Sequence, residues 1–191
     1  MAEVFGLLFT SFIVNNVILT QFLGMCPFMG VSKKRSSALG MGAAVIFVIV
    51  VAALVTYALC HLVLAPLHLE FMDLITFILV IASLVQLTEM FIKKTSPPLY
   101  KSLGVYLPLI TTNCVVLNVC LVNIQNTYDI PHMLAYSIGT PLGFALMLYI
   151  FSTIRERLEL SDVPEFFKGN PMSLIVAAIM SLAFTAFAGV I

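Results

Sequence analysis

Residues 14 to 28 read VNNVILTQFLGMCPF. A run this apolar is a candidate bilayer span, yet Asn15, Asn16 and Gln21 bring amides that are costly in hydrocarbon unless bonded. Gly24 and Pro27 bracket Cys26 and mark places where helix hydrogen bonding fails. A second stretch, PLITTNCVVLNVC at residues 108 to 120, has the same character: Pro108, Thr111, Thr112 and Asn113 lead into an apolar run that carries Cys114. Interrupted helices at corresponding places in two halves of a chain point to a site in the membrane interior.

The whole chain fits that frame. Of its 191 residues, 61% are hydrophobic and 9% charged, with a mean hydropathy of +1.12, which excludes an ordinary soluble domain. An all-α integral membrane protein is expected. A helix needs about 20 apolar residues to cross a bilayer core. Six stretches qualify, at about residues 4 to 25, 38 to 64, 71 to 92, 102 to 122, 132 to 154 and 171 to 191. The opening MAEVFGLLF has no basic leader and reads as a retained first span.

Charge sets the orientation. Every Lys and Arg falls in one of three connections: Lys33, Lys34 and Arg35; Lys93, Lys94 and Lys101; Arg155, Arg157 and Lys168. The positive-inside rule makes those connections cytoplasmic. Both termini, and the loops holding Glu70, Asp73 and Asp129, then face outward. Net charge is zero and no basic patch is interleaved with aromatics, so no nucleic-acid partner is expected, only membrane lipid and other proteins. The longest connection, RERLELSDVPEFFKGN at 155 to 170, reads as a short interfacial helix, a docking surface for a cytoplasmic partner, or a solvated charged loop.

Three spans per half is an odd number, so duplicated halves must lie in opposite orientation. Residues 1 to 191 then form a single membrane domain of two inverted three-helix repeats, about 1 to 95 and about 98 to 191, with spans one and four interrupted. A shift of 97 residues aligns Ile13 with Ile110, Asn16 with Asn113, Ala38 with Ala135, Gly42 with Gly139 and Phe47 with Phe144. Asparagines and threonines in such spans also serve simply as helix-helix adhesive, worth about 0.6 kcal/mol per contact.

Thiolates bind soft metals and iron-sulfur clusters, and a cluster normally takes four. The four cysteines here, Cys26, Cys60, Cys114 and Cys120, cannot easily converge, and only Cys26 and Cys114 sit at the interruptions. Straight helices would leave those two at different depths, so they meet only if the helices break. Two ligands are half a cluster site, and a second chain of similar build would have to supply the rest.

Three longer motifs carry a family resemblance: FLGMCPFMGVSKK at 22 to 34, KTSPPLYKSLGVYLPLITTNC at 94 to 114, and IRERLELSDVP with FKGN within 154 to 170. They closely resemble the A-subunit family of the Rnf electron transport complex. A more distant likeness is to the E subunit of the sodium-translocating NADH:quinone oxidoreductase. The resemblance implies a multi-pass protein of the bacterial inner membrane, paired with the homologous Rnf E subunit of opposite topology and assembled with the B, C, D and G subunits. It also implies that Cys26 and Cys114 ligate a 2Fe-2S cluster completed by two cysteines of that partner. The complex couples electron transfer between ferredoxin and NAD+ to Na+ or H+ movement. No GxGxxG or flavin-attachment motif occurs here, so hydride chemistry belongs to other subunits.

Asn113 and Thr112 are candidates to hydrogen-bond cluster sulfurs. Asn15, Asn16, Thr111 and Thr112 are candidates for an ion path, since hard cations want oxygen. Glu89 reads as an interfacial acid or an ion-path group. Two rival readings are a small secondary transporter, which needs neither cysteine, and a structural membrane protein without cofactor.

Overall fold

The computed structural model describes residues 2–14, 16–32, 35–64, 73–95, 109–110, 113–126, 128–161 and 164–188. Asn15, Thr111 and Thr112 of the expected site lie outside them, as do Lys33, Lys34, Lys101 and Pro108. Among the described residues the secondary structure is entirely helical.

The chain opens with α1 (Ala2–Phe9), which widens into a π-turn over Thr10–Val14. Two short pieces follow, α2 (Val17–Gln21) and α3 (Met25–Val31), and then the long α4 (Arg35–Leu59) with a π-turn at Cys60–Leu64. Next come α5 (Asp73–Thr95), α6 (Cys114–Gln125), α7 (Ile130–Glu159), a 3-10 turn at Glu165–Phe167 and α8 (Asn170–Ala188). By length and composition α4 and α7 can each cross a membrane. The outward faces carry Phe5, Leu62, Leu79 and Leu182, all largely exposed, as expected of a surface solvated by lipid.

Lipid tails are as apolar as leucine, so close packing rather than water exclusion holds membrane helices together. The central pair is α4 against α7. Gly42 on α4 lets the backbones approach until an added Cβ would lie 2.9 Å from Ala145 Cβ. α1 seats on α7 through two glycines four residues apart: a Cβ on Gly139 would lie 2.9 Å from Leu8 O, and one on Gly143 would lie 2.5 Å from Phe12 O. These small residues form a GxxxG seat, the usual device for close approach in membranes.

One boundary differs from expectation. α7 runs on to Glu159 because RERLE keeps good helix formers and meets no Gly or Pro. In the 155–170 connection the only regular structure beyond α7, among the described residues, is the single 3-10 turn.

Candidate functional site

Broken helices leave backbone groups unpaired, and in a membrane the protein itself must satisfy them. At the first break Asn16 has extended backbone (φ −69°, ψ 112°) and caps α2: its Oδ1 accepts the Ile18 N–H at 3.3 Å. Asn113 has the same conformation (φ −70°, ψ 113°) and caps α6 in the same way, Oδ1 accepting the Val115 N–H at 3.1 Å. Both residues are buried, and neither Nδ2 has a partner among the described residues. Each cap therefore spends its oxygen on the backbone and leaves a free pair of amide donors.

α2 lasts barely more than one turn. Phe22 turns left-handed (φ 54°), and its N–H and that of Leu23 fold back to Val17 O. The Leu19 carbonyl accepts from Ser181 Oγ of α8 at 2.7 Å. Gly24, also left-handed (φ 79°), then starts α3. A left-handed residue with a side chain costs about 1 to 2 kcal/mol, so packing must hold Phe22 there, while Gly24 escapes the penalty.

Three contacts hold α3. Gly24 lies against the Phe144 ring and Val115, the Phe28 ring stacks on Phe151 at 4.1 Å, and Arg155 reaches its C-terminal end. Nη1 of Arg155 donates to Met29 O and to Ser32 Oγ, each at 2.9 Å. A cation at a helix C-terminus answers both the unpaired carbonyls and the negative end of the dipole. Arg35 bonds Glu156 at 2.5 Å, so the ends of two of the three basic connections lie together.

The breaks bring the two cysteine motifs into contact. Cys114 is the first residue of α6, and its Sγ accepts the Gly24 N–H at 3.0 Å. Cys26 lies two residues further on, in the first turn of α3. Both thiols are exposed on this chain, although Pro27, Phe28, Asn113 and Val115 beside them are buried. Cys60 lies apart in the π-turn after α4, half-buried, and Cys120 is buried among the core side chains.

Chemically the pair suits a soft, anionic ligand set. Thiolates are iron-cluster ligands, and Cys114 sits at the N-terminal end of α6. Among the described residues no three His, Cys, Asp or Glu side chains gather as a metal site. Two exposed thiols are half the number of ligands that an iron-sulfur cluster normally takes. Glu89 is partly buried on α5.

Two contributors have no clear signal in the sequence. Gly24 reads there as a helix breaker, and its role as a donor to a sulfur depends on a contact 90 residues away. Arg155 stands in a charge-rich run with no local sign that it is buried.

A family model described as Rnf-Nqr subunit, membrane protein, matches residues 4–191. The A subunit of the ion-translocating oxidoreductase complex of Syntrophotalea carbinolica is 51% identical, covering 97% of this chain and 96% of its own. The A subunit of the Na(+)-translocating ferredoxin:NAD(+) oxidoreductase complex of Acetobacterium woodii is also 51% identical, covering 96% and 95%. The corresponding A subunit of an ion-translocating oxidoreductase complex from Vibrio vulnificus is 48% identical over the full length of both chains.

Proposed function

The chain belongs to the Rnf-Nqr family of membrane subunits, and on that premise we propose that it is the electron-carrying A subunit of an ion-translocating ferredoxin:NAD+ oxidoreductase complex. The single observation that carries this reading is the Gly24 N–H to Cys114 Sγ contact, which sets the GMC and TTNC motifs side by side with both thiols exposed. A 2Fe-2S cluster held by Cys26 and Cys114, and by two thiolates of the homologous E subunit, would take up and release single electrons inside the membrane.

This chain's own groups prepare that place. The Gly24 amide donates to the sulfur of Cys114, lowering its electron density, as hydrogen bonds to ligand sulfurs do. Asn16 and Asn113 have their oxygens tied to the backbone, so their free ends are donors that suit anionic sulfur better than a cation. Phe28 on Phe151, and Arg155 on the end of α3, keep Cys26 from drifting. The ion path is assigned to Asn15, Thr111 and Thr112 with backbone carbonyls, for Na+ or H+.

The matching caps at Asn16 and Asn113 support two inverted three-helix repeats with six spans. The Arg35 to Glu156 pair supports placing the connections after spans one and five on one side, which the positive-inside rule makes cytoplasmic, in the inner membrane, with both termini outside. The B, C, D and G subunits complete the assembly.

The test is electron paramagnetic resonance and iron analysis of this protein co-purified with its homologous partner, beside Cys26→Ser and Cys114→Ser. A cluster signal that each substitution abolishes is the expected result. No signal in the wild type, or one untouched by both changes, overturns the assignment.

A further inference from the structure

Away from the cysteines, a cavity of about 310 Å³ opens where the last turns of α7 meet the start of α8 and the 3-10 turn. Its floor is formed by buried Arg155, Phe151 and Ser173, and its mouth by exposed Glu159, Phe167 and Lys168. Arg155 is 7% exposed, and both of its hydrogen bonds come from Nη1. A guanidinium has five N–H donors, so the three on Nη2 and Nε have no partner among the described residues. A buried cation with open donors in a cavity calls for an acceptor of opposite charge.

The other lining groups narrow the choice. Lys168 and Glu159 make no ion pair among the described residues, so the mouth offers one free charge of each sign beside the floor arginine. Val176 and Leu158 give the walls an apolar character. Leu160 and Phe166 stand 87% and 95% exposed on the adjoining segment, which fits a segment lying against the bilayer surface rather than in water. The cavity then sits at headgroup level, and its size suits a headgroup and glycerol rather than a whole lipid.

We infer that this cavity binds a zwitterionic membrane phospholipid of the phosphatidylethanolamine class, its phosphate on Arg155 and Lys168 and its ammonium on Glu159. The site is independent of the thiol pair, though Arg155 joins it to the end of α3. The test places the complete complex in nanodiscs of equal phosphatidylethanolamine and phosphatidylglycerol, extracts it in detergent, and quantifies by native mass spectrometry the lipid that stays on this protein. Wild type retains phosphatidylethanolamine. Lys168→Glu removes a charge-assisted bond and Met172→Trp fills the cavity, and each lowers retention about tenfold or more, whereas Glu159→Gln erases the preference over phosphatidylglycerol. Equal retention in Lys168→Glu and Met172→Trp to that of wild type overturns the site. So does full displacement by millimolar inorganic phosphate, which marks a free-anion site, or retention of a quinone or a soluble peptide in place of phospholipid.

Discussion

The Gly24 amide donates to Cys114 Sγ across 90 residues of chain, and the same glycine holds a left-handed φ of 79° between the Phe144 ring and Val115. One position therefore meets three demands at once: a turn, a tight fit and a donor. An added Cβ would lie 2.8 Å from both Phe144 Cε2 and Val115 Cγ2. Gly24→Ala should cost about 2 to 5 kcal/mol, the sum of left-handed strain and overpacking. Gly169 is the control, because it is also left-handed (φ 95°) but opens onto empty space. Gly169→Ala should cost only the backbone part, about 1 to 2 kcal/mol. Thermal melts in detergent compare the two, and equal losses would refute the packing argument.

The paired caps predict effects on both stability and potential. Asn16→Ala and Asn113→Ala should each destabilise by about 1 kcal/mol, the usual worth of an N-cap. Asn113→Asp keeps the capping oxygen but replaces the free amide donors with a second acceptor. A buried carboxylate there should cost more stability than loss of the cap alone, and the midpoint potential of any cluster beside Cys114 should fall, since negative charge disfavours reduction. A potentiometric titration of the co-purified pair reads this directly. An unmoved midpoint would return Asn113 to a purely capping role.

The breaks are legible in the sequence because Asn, Gly and Pro carry their backbone preferences locally. Asn16, Gly24 and Asn113 each end or begin an element where an amide or a glycine interrupts an apolar run. The meeting of the two cysteine motifs is legible only as a condition, that the helices break. What meets the condition is a contact between residues far apart in the chain. Gly139 and Gly143 stand at GxxxG spacing in the sequence, but which backbone they seat is set only when α1 is placed on them in the fold. Arg155 reads as a loop charge for the same reason: its acceptors, Met29 O and Ser32 Oγ, lie 126 and 123 residues earlier.

Two arginines at one end of the molecule should respond very differently to substitution. Arg155 is buried and bonded to the end of α3, so Arg155→Met leaves a carbonyl and a hydroxyl without their donor and should cost about 3 kcal/mol. Arg35 and Glu156 are about half exposed, and Arg35→Gln should cost under about 1 kcal/mol, less still in high salt. Chemical denaturation in mixed micelles at low and high salt tests both. Comparable losses at the two sites would mean that Arg155 does not anchor α3.

The close seat of α1 on α7 gives the last expectation. A methyl on Gly143 meets Phe12 O at 2.5 Å and Asn16 Nδ2 at 3.0 Å, and a backbone carbonyl cannot swing aside as a side-chain tip can. Gly143→Ala must therefore push the π-turn of α1 off α7 and carry the Asn16 cap with it, at about 1 to 3 kcal/mol. Gly6, on α1 itself, meets nothing within 4 Å, so Gly6→Ala should be neutral or stabilise by a few tenths of a kcal/mol through helix propensity. Hydrogen exchange adds a readout of position: the Ile18 amide, bonded to Asn16 Oδ1, should lose protection in Gly143→Ala but keep it in Gly6→Ala. Unchanged protection in Gly143→Ala would show that the first break holds its shape without the glycine seat.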